Sequence, residues 1–239
     1  NIALGDSAGK SLTSGIRNIF IGKDTACGAT ITGDYNIALG SCVGKALTSG
    51  INNVILGKSA LCNLETGSDN IALGDCAGYT LNNGGCNVMI GRHAGYYDND
   101  GNYQVFMGYM SGRYMQGQSN VAIGVQALYG SSTPSNNTGT NNIAIGSEAG
   151  CSNTSGTENV FLGRLAGNTN TSGDKNVAIG CDVELPSATG DNQMAIGSGT
   201  SRWISGDSSF HIKPGAGIRD NTDSLGTAGQ FLSSNGSAV

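Results

Sequence analysis

A five-residue phrase recurs twelve times along the 239-residue chain, and no other feature limits the fold as tightly. It reads Asn (Gln in two copies), a large aliphatic residue, an apolar residue, a second large aliphatic residue and Gly. The copies begin at Asn1, Asn18, Asn36, Asn53, Asn70, Asn87, Gln104, Asn120, Asn142, Asn159, Asn176 and Gln193, so the successive spacings are 17, 18, 17, 17, 17, 17, 16, 22, 17, 17 and 17 residues. A second Gly usually falls near position fifteen of the unit, as at Gly15, Gly50, Gly67 and Gly84, while Ala recurs at position eight and Leu at position twelve. A short fixed period marks a solenoid, in which each repeat buries its apolar side against its neighbours. At about 3.3 Å per residue, one such unit makes a single flattened or triangular turn and cannot make a helix pair. The expected fold is therefore all-β: a parallel β-solenoid (β-roll or β-helix) of about twelve coils, stacked roughly 4.8 Å apart into a rod roughly 58 Å long.

Composition agrees with this and narrows the partners. The chain contains 40 Gly and only 3 Pro, a glycine content that places tight corners at regular intervals. A net charge of −5 argues against nucleic-acid backbones and anionic membranes, both of which select basic patches. No apolar run approaches the roughly 20 residues of a membrane-spanning helix. The chain opens on the first residue of a repeat rather than on Met, which reads as a piece of a longer protein.

The strand phrase is apolar on both faces. Positions two and four are large aliphatics, expected to fill the coil's own interior. The third positions are Ala3, Phe20, Ala38, Ile55, Ala72, Met89, Phe106, Ala122, Ala144, Phe161, Ala178 and Ala195. A strand that is apolar on both sides needs cover on both, so these third positions are expected to pack between chains about the axis of a homotrimer. The alternative is a wider single-chain coil with both faces internal. The leading Asn is expected to stack into an amide ladder along the rod or to occupy a turn.

The repeat region is expected to cover residues 1–202, followed by an incomplete non-repeat β module over residues 203–239, with a hairpin turn at Asn235-Gly236. The long spacing after Asn120 is read as a loop, Gly130 to Gly139, inserted at a corner.

The phrase Asn-Val-Ala-Ile-Gly at Asn120 to Gly124 and Asn176 to Gly180 resembles the head repeats of trimeric autotransporter adhesins, which form a left-handed parallel β-roll in a trimer. The full unit Asn1-Ile-Ala-Leu-Gly-Asp-Ser-Ala-Gly-Lys-Ser-Leu-Thr-Ser-Gly-Ile-Arg17, with Leu225-Gly-Thr-Ala-Gly-Gln-Phe-Leu-Ser-Ser-Asn-Gly236, is similar to fibre proteins of phages and other viruses. The adhesin repeat is typically shorter than 17 residues. The resemblance implies a structural protein with no catalytic residues, a fibre shaft on the virion or otherwise extracellular, supporting host attachment; a cell-surface adhesin or filament is the alternative.

Few motifs carry chemistry. Gly5-Asp-Ser-Ala-Gly-Lys-Ser11 has three residues between its glycines where a phosphate-binding loop needs four. His93 and His211 lie far apart, so no histidine-based zinc site is visible, and neither metal nor cofactor is expected. The seven cysteines, Cys27, Cys42, Cys62, Cys76, Cys86, Cys151 and Cys181, do not fall one coil apart at a shared position, and they are expected to be mostly free, buried thiols. Asp182 and Glu184 are the only pair considered for a polysaccharide-degrading tailspike. Glycosylation sequons begin at Asn136, Asn153, Asn170 and Asn235, although Asn and Thr also serve as turn residues there. The expected contacts with a host glycan or protein receptor are corner residues such as Tyr79, Tyr96, Tyr97, Tyr109, Tyr114 and Tyr129, together with the tail from residue 203, because exposed aromatic rings favour binding.

Overall fold

The computed structural model describes residues 1–28, 30–207, 209 and 212–214. Twelve strands stack in parallel, one per phrase, from β1 (Ile2–Leu4) and β2 (Ile19–Ile21) to β11 (Val177–Ile179) and β12 (Met194–Ser198), and they bound eleven turns of a β-solenoid. No α-helix occurs among the described residues. The stack ends where β12 pairs antiparallel with β13 (Ser201–Gly206), which pairs antiparallel with β14 (Ile212–Pro214). The sequons' last member and the hairpin expected at Asn235-Gly236 lie outside the described residues.

Each of the first eleven phrases contributes one three-residue strand, and the last contributes the five-residue β12. Beyond the strands, the one isolated bridge among the described residues joins Leu12 to Ile31; the rest of the coil is turns tied to the neighbouring coil by backbone hydrogen bonds such as Gly57 N–H to Leu39 O and Gly74 N–H to Leu56 O. The first corner depends on glycine. Gly57 has φ +136°, and a Cβ there would stand 2.4 Å from the carbonyl oxygen of Gly74 in the coil above. An L side chain is excluded by both the backbone angle and the close stacking.

Register passes unbroken through the irregular spacings. Ala3, Phe20, Ala38 and Ile55 align in successive strands despite the 18-residue second unit, and Ala122 aligns with Ala144 across the 22-residue unit. The extra residues leave the sheet as a corner loop containing a 3-10 turn, Pro134–Asn136. The buried Asn137 amide holds this loop closed: Oδ1 accepts from Ser131 N–H (2.7 Å), and Nδ2 donates to Ser131 O and Thr133 O (both 2.9 Å).

The phrase-opening Asn closes each coil and joins it to the next. Asn53 Nδ2 donates to Gly67 O of its own coil (2.9 Å), while its Oδ1 accepts the Asn70 backbone N–H (3.0 Å) and the Asn70 Nδ2 (3.1 Å). The same bonds recur from Asn36 to Asn53 and from Asn142 to Asn159. These amides are fully buried and satisfied, which is the condition for keeping them in a core.

The strand faces are the reverse of the sequence expectation. Phe20, Ala38, Ile55, Ala72, Met89, Phe106, Ala122, Ala144, Phe161, Ala178 and Ala195 are buried in the chain's own core, and Ala3 shares their column at the open end of the rod. They are not surface residues available to a neighbouring chain. The reason is parity: side chains alternate across a strand, so position three points to the same side as the buried Asn at position one, and positions two and four point out. The interior is narrow, and the largest third-position side chains sit against glycine. Phe161 lies against Gly150 and Gly167, where a Cβ would meet its ring at 2.3 Å in both cases, while Leu128 occupies the equivalent glycine place in the coil whose third position is only Ala122.

Candidate functional site

The outward positions form two parallel rows of large aliphatic side chains. All twenty-four residues, from Ile2 and Leu4 through Ile71 and Leu73 to Met194 and Ile196, are Ile, Val, Leu or Met. Leu56, Ile71, Met107, Ile143 and Ile145 are among the exposed large hydrophobics. No charged side chain interrupts either row.

A second feature grows out of positions ten and eleven in the middle coils. Stacking repeats 17 residues apart places Tyr79 on Tyr96 (ring centroids 5.0 Å, planes 7° apart) and Tyr97 on Tyr114 (4.9 Å, 8°). Edge contacts join Tyr96 to Tyr97 (4.6 Å) and Tyr114 to Tyr129 (5.1 Å). The Arg113 guanidinium sits among these rings, 5.6 Å from the centre of Tyr96, 5.9 Å from Tyr97 and 5.3 Å from Tyr114, within cation–π range. Five of the six tyrosines singled out from the sequence therefore form one half-buried cluster. Tyr109 stands apart, exposed. Burial pushes the Tyr96 and Tyr129 hydroxyls above the usual phenol range, so both remain neutral donors at physiological pH.

Beside Tyr129, at the foot of the inserted loop, opens a cleft of about 400 Å³. Gln126, Ser131, Glu148, Thr154 and Thr171 line it with the tyrosine, a set of hydrogen-bonding groups around one ring. The sequence reading did not include this cleft, because the 22-residue unit brings its lining residues together only once the coils are stacked. Tyr103 is not among the expected contacts; with Trp203, the first residue of the tail, it is the most exposed aromatic among the described residues, at 64% and 66%. The carboxylates of the considered tailspike pair are both engaged: Asp182 is ion-paired with Arg164, and Glu184 accepts the Thr169 hydroxyl.

Other expectations change with the stacking. The cysteines are free, but only Cys27 is buried; Cys86 and Cys181 are exposed. Asn153 and Asn170 are buried to 0% exposure, and their amides bond to Gly156 O (3.0 Å), Gly173 O (3.1 Å) and, Asn170 to Asn153, each other (3.0 Å). These two sequons are turn-forming core amides, and of the row only Asn136 is exposed among the described residues.

His93 stacks on Cys76 at position seven of consecutive coils, both in the left-handed region (φ 58° and 54°). Asp75 adjoins them, with Oδ1 accepting the Cys76 Sγ–H at 3.4 Å and Oδ2 facing Arg92 Nε at 3.6 Å. Ligand atoms of Asp75, Cys76 and His93 all lie within 4.8 Å of one another, and they are the one such group among the described residues. Burial, with the Arg113 and Arg92 charges, lowers the His93 pKa; burial and Asp75 push the Cys76 thiol up to about 11. Sequence reasoning missed this cluster because a 17-residue separation matches no metal-ligand spacing until the coil stacking is known.

No protein-family model, curated protein or solved structure matches the chain.

Proposed function

We propose that this chain is the shaft of an extracellular attachment fibre of a virus or phage, a homotrimer that projects a receptor-binding part and contributes length and stiffness. The carrying observation is the double aliphatic row on the outside of the sheet. It measures roughly 50 Å by 10 Å, about 500 Å² per chain, comparable to the largest apolar patches on monomeric proteins. Three such faces meeting on a common axis withdraw about 1,500 Å², the size of a standard stable interface. A second copy in register supplies apolar groups at the same coil spacing over the whole length, which an unrelated partner does not. In this reading the chain–chain contact lies on positions two and four, not on the third positions.

The resemblance to phage and viral fibre repeats supports the assignment to a particle, and the resemblance to adhesin head repeats supports the cell-surface alternative. In either setting the tyrosine–Arg113 cluster and its cleft are the surface we assign to a host glycan or protein. Immunogold electron microscopy with an antibody against the rod tests the reading. Label on projections of particles is the expected result; label on cell envelopes selects the adhesin, and label confined to cell or particle interiors overturns both.

A further inference from the structure

We propose that Asp75, Cys76 and His93 form a binding site for a divalent transition-metal ion of the zinc class, stapling the fifth coil to the sixth. The donor set is the first argument. A thiolate, an imidazole and a carboxylate are three of the groups that zinc selects, and three protein ligands leave one position for water. Geometry is the second. The ligand atoms fall within 4.8 Å of one another, against roughly 3.3–3.8 Å between ligands around a tetrahedral zinc. Small side-chain rotations close that gap while the backbone stays in register, because Cys76 and His93 repeat one turn conformation one coil apart.

The third argument is an unmet need. His93 Nδ1 is shielded from solvent and has no hydrogen-bond partner, an arrangement a native fold rarely keeps without a ligand to satisfy it. Arg92, on the far oxygen of Asp75, is placed to orient the carboxylate as outer groups do around metal ligands. Lys58 and Arg113 also act on the cluster, from the Cys76 and His93 sides. The two negative charges of Asp75 and the Cys76 thiolate offset the incoming ion, and the thiol proton leaves to solvent as the metal–sulfur bond forms.

Cobalt(II) titrated into the intact, metal-stripped chain provides the test, because a cobalt–thiolate bond absorbs in the near ultraviolet where the free ion does not. The repeat itself supplies substitutions that the coil accepts: Ser59, Gln126 and Ser147 occupy the places of Cys76, His93 and Asp75 in other coils. One equivalent of cobalt is expected to bind with a thiolate band that zinc displaces. Cys76→Ser abolishes the band, His93→Gln and Asp75→Ser weaken binding at least tenfold, and Cys42→Ser, at the same place in a coil without a histidine above it, leaves it unchanged. Absence of the band overturns the site, and so does a band that survives His93→Gln at full affinity, which shows that the cysteines bind metal only as scattered thiols.

Discussion

In the first five coils the interior just ahead of the second corner is filled by Leu12, Ile31, Leu47, Leu64 and Leu81. In the next five the same column holds Asp98, Met115, Asn137, Asn153 and Asn170, four polar groups in a core. The backbone hardly registers the change: strand pairing continues in register, and the Asn ladder crosses the switch with Gln104 standing in for one Asn. The glycine corner and the amide ladder set the coil, while this column only has to be filled by groups that leave no donor or acceptor unpaired. Methyl groups meet that condition by having none. Asn153 and Asn170 meet it through their bonds to Gly156, Gly173 and each other. Asp98, at the junction, meets it only in part: Oδ1 accepts from Gly101 N–H at 2.9 Å, but Oδ2 has no partner.

The comparison breaks first if the two halves differ at their glycine corners. Gly57→Ala and Gly163→Ala, with Cβ contacts to the next coil's carbonyl oxygen at 2.4 and 2.3 Å, should each cost upward of about 5 kcal/mol and abolish cooperative melting of the neighbouring coils. Melting followed by circular dichroism checks this. A mild cost in one half alone would mean that the corner is not the shared determinant.

Asp98 sharpens the junction. Burial raises its pKa from 3.8 to about 8, so the folded chain retains a proton that the unfolded chain releases. Its stabilising contribution is full below pH 4 and declines as pH rises toward 8, a loss on the order of 5 kcal/mol. Urea unfolding from pH 4 to 9 should show that slope, and Asp98→Asn should remove it and be the more stable protein at pH 8.

Smaller effects separate the two ways of filling the column. Leu64→Ala removes buried methyl groups and should cost about 3 kcal/mol. Asn170→Ala removes the donor to Asn153 Oδ1 and the acceptor of Asn176 Nδ2, and leaves the Gly173 carbonyl with Asn159 Nδ2 alone; it should cost about 2 kcal/mol. Denaturant midpoints compared at pH 6 check both; an inert Asn170→Ala would show that the polar half does not depend on its amide bonds.

Much of this was legible in the chain alone. The twelve phrases and their Gly residues give the parallel stack and its register, because a 17-residue period leaves a strand and its corners no other arrangement. The inside and outside of the strand were not, since both faces carry apolar side chains and hydrophobicity alone cannot order Ile71, Ala72 and Leu73. Parity could have decided it: if Asn70 is the internal ladder, Ala72 must be internal too. The tyrosine cluster was legible as residue types, but its union around Arg113 depends on positions ten and eleven stacking side by side. The Asp75–Cys76–His93 group was hidden for the same reason, since its members meet across coils rather than along the chain.

The most direct test of the account is the solution mass of the purified chain by light scattering over a range of concentrations. If the outward aliphatic rows meet on a common axis, the species is stable at three times the 24.1 kDa chain mass. A monomer at every concentration would contradict the account, because the rows would then be an ordinary solvent-facing surface of a single-chain rod.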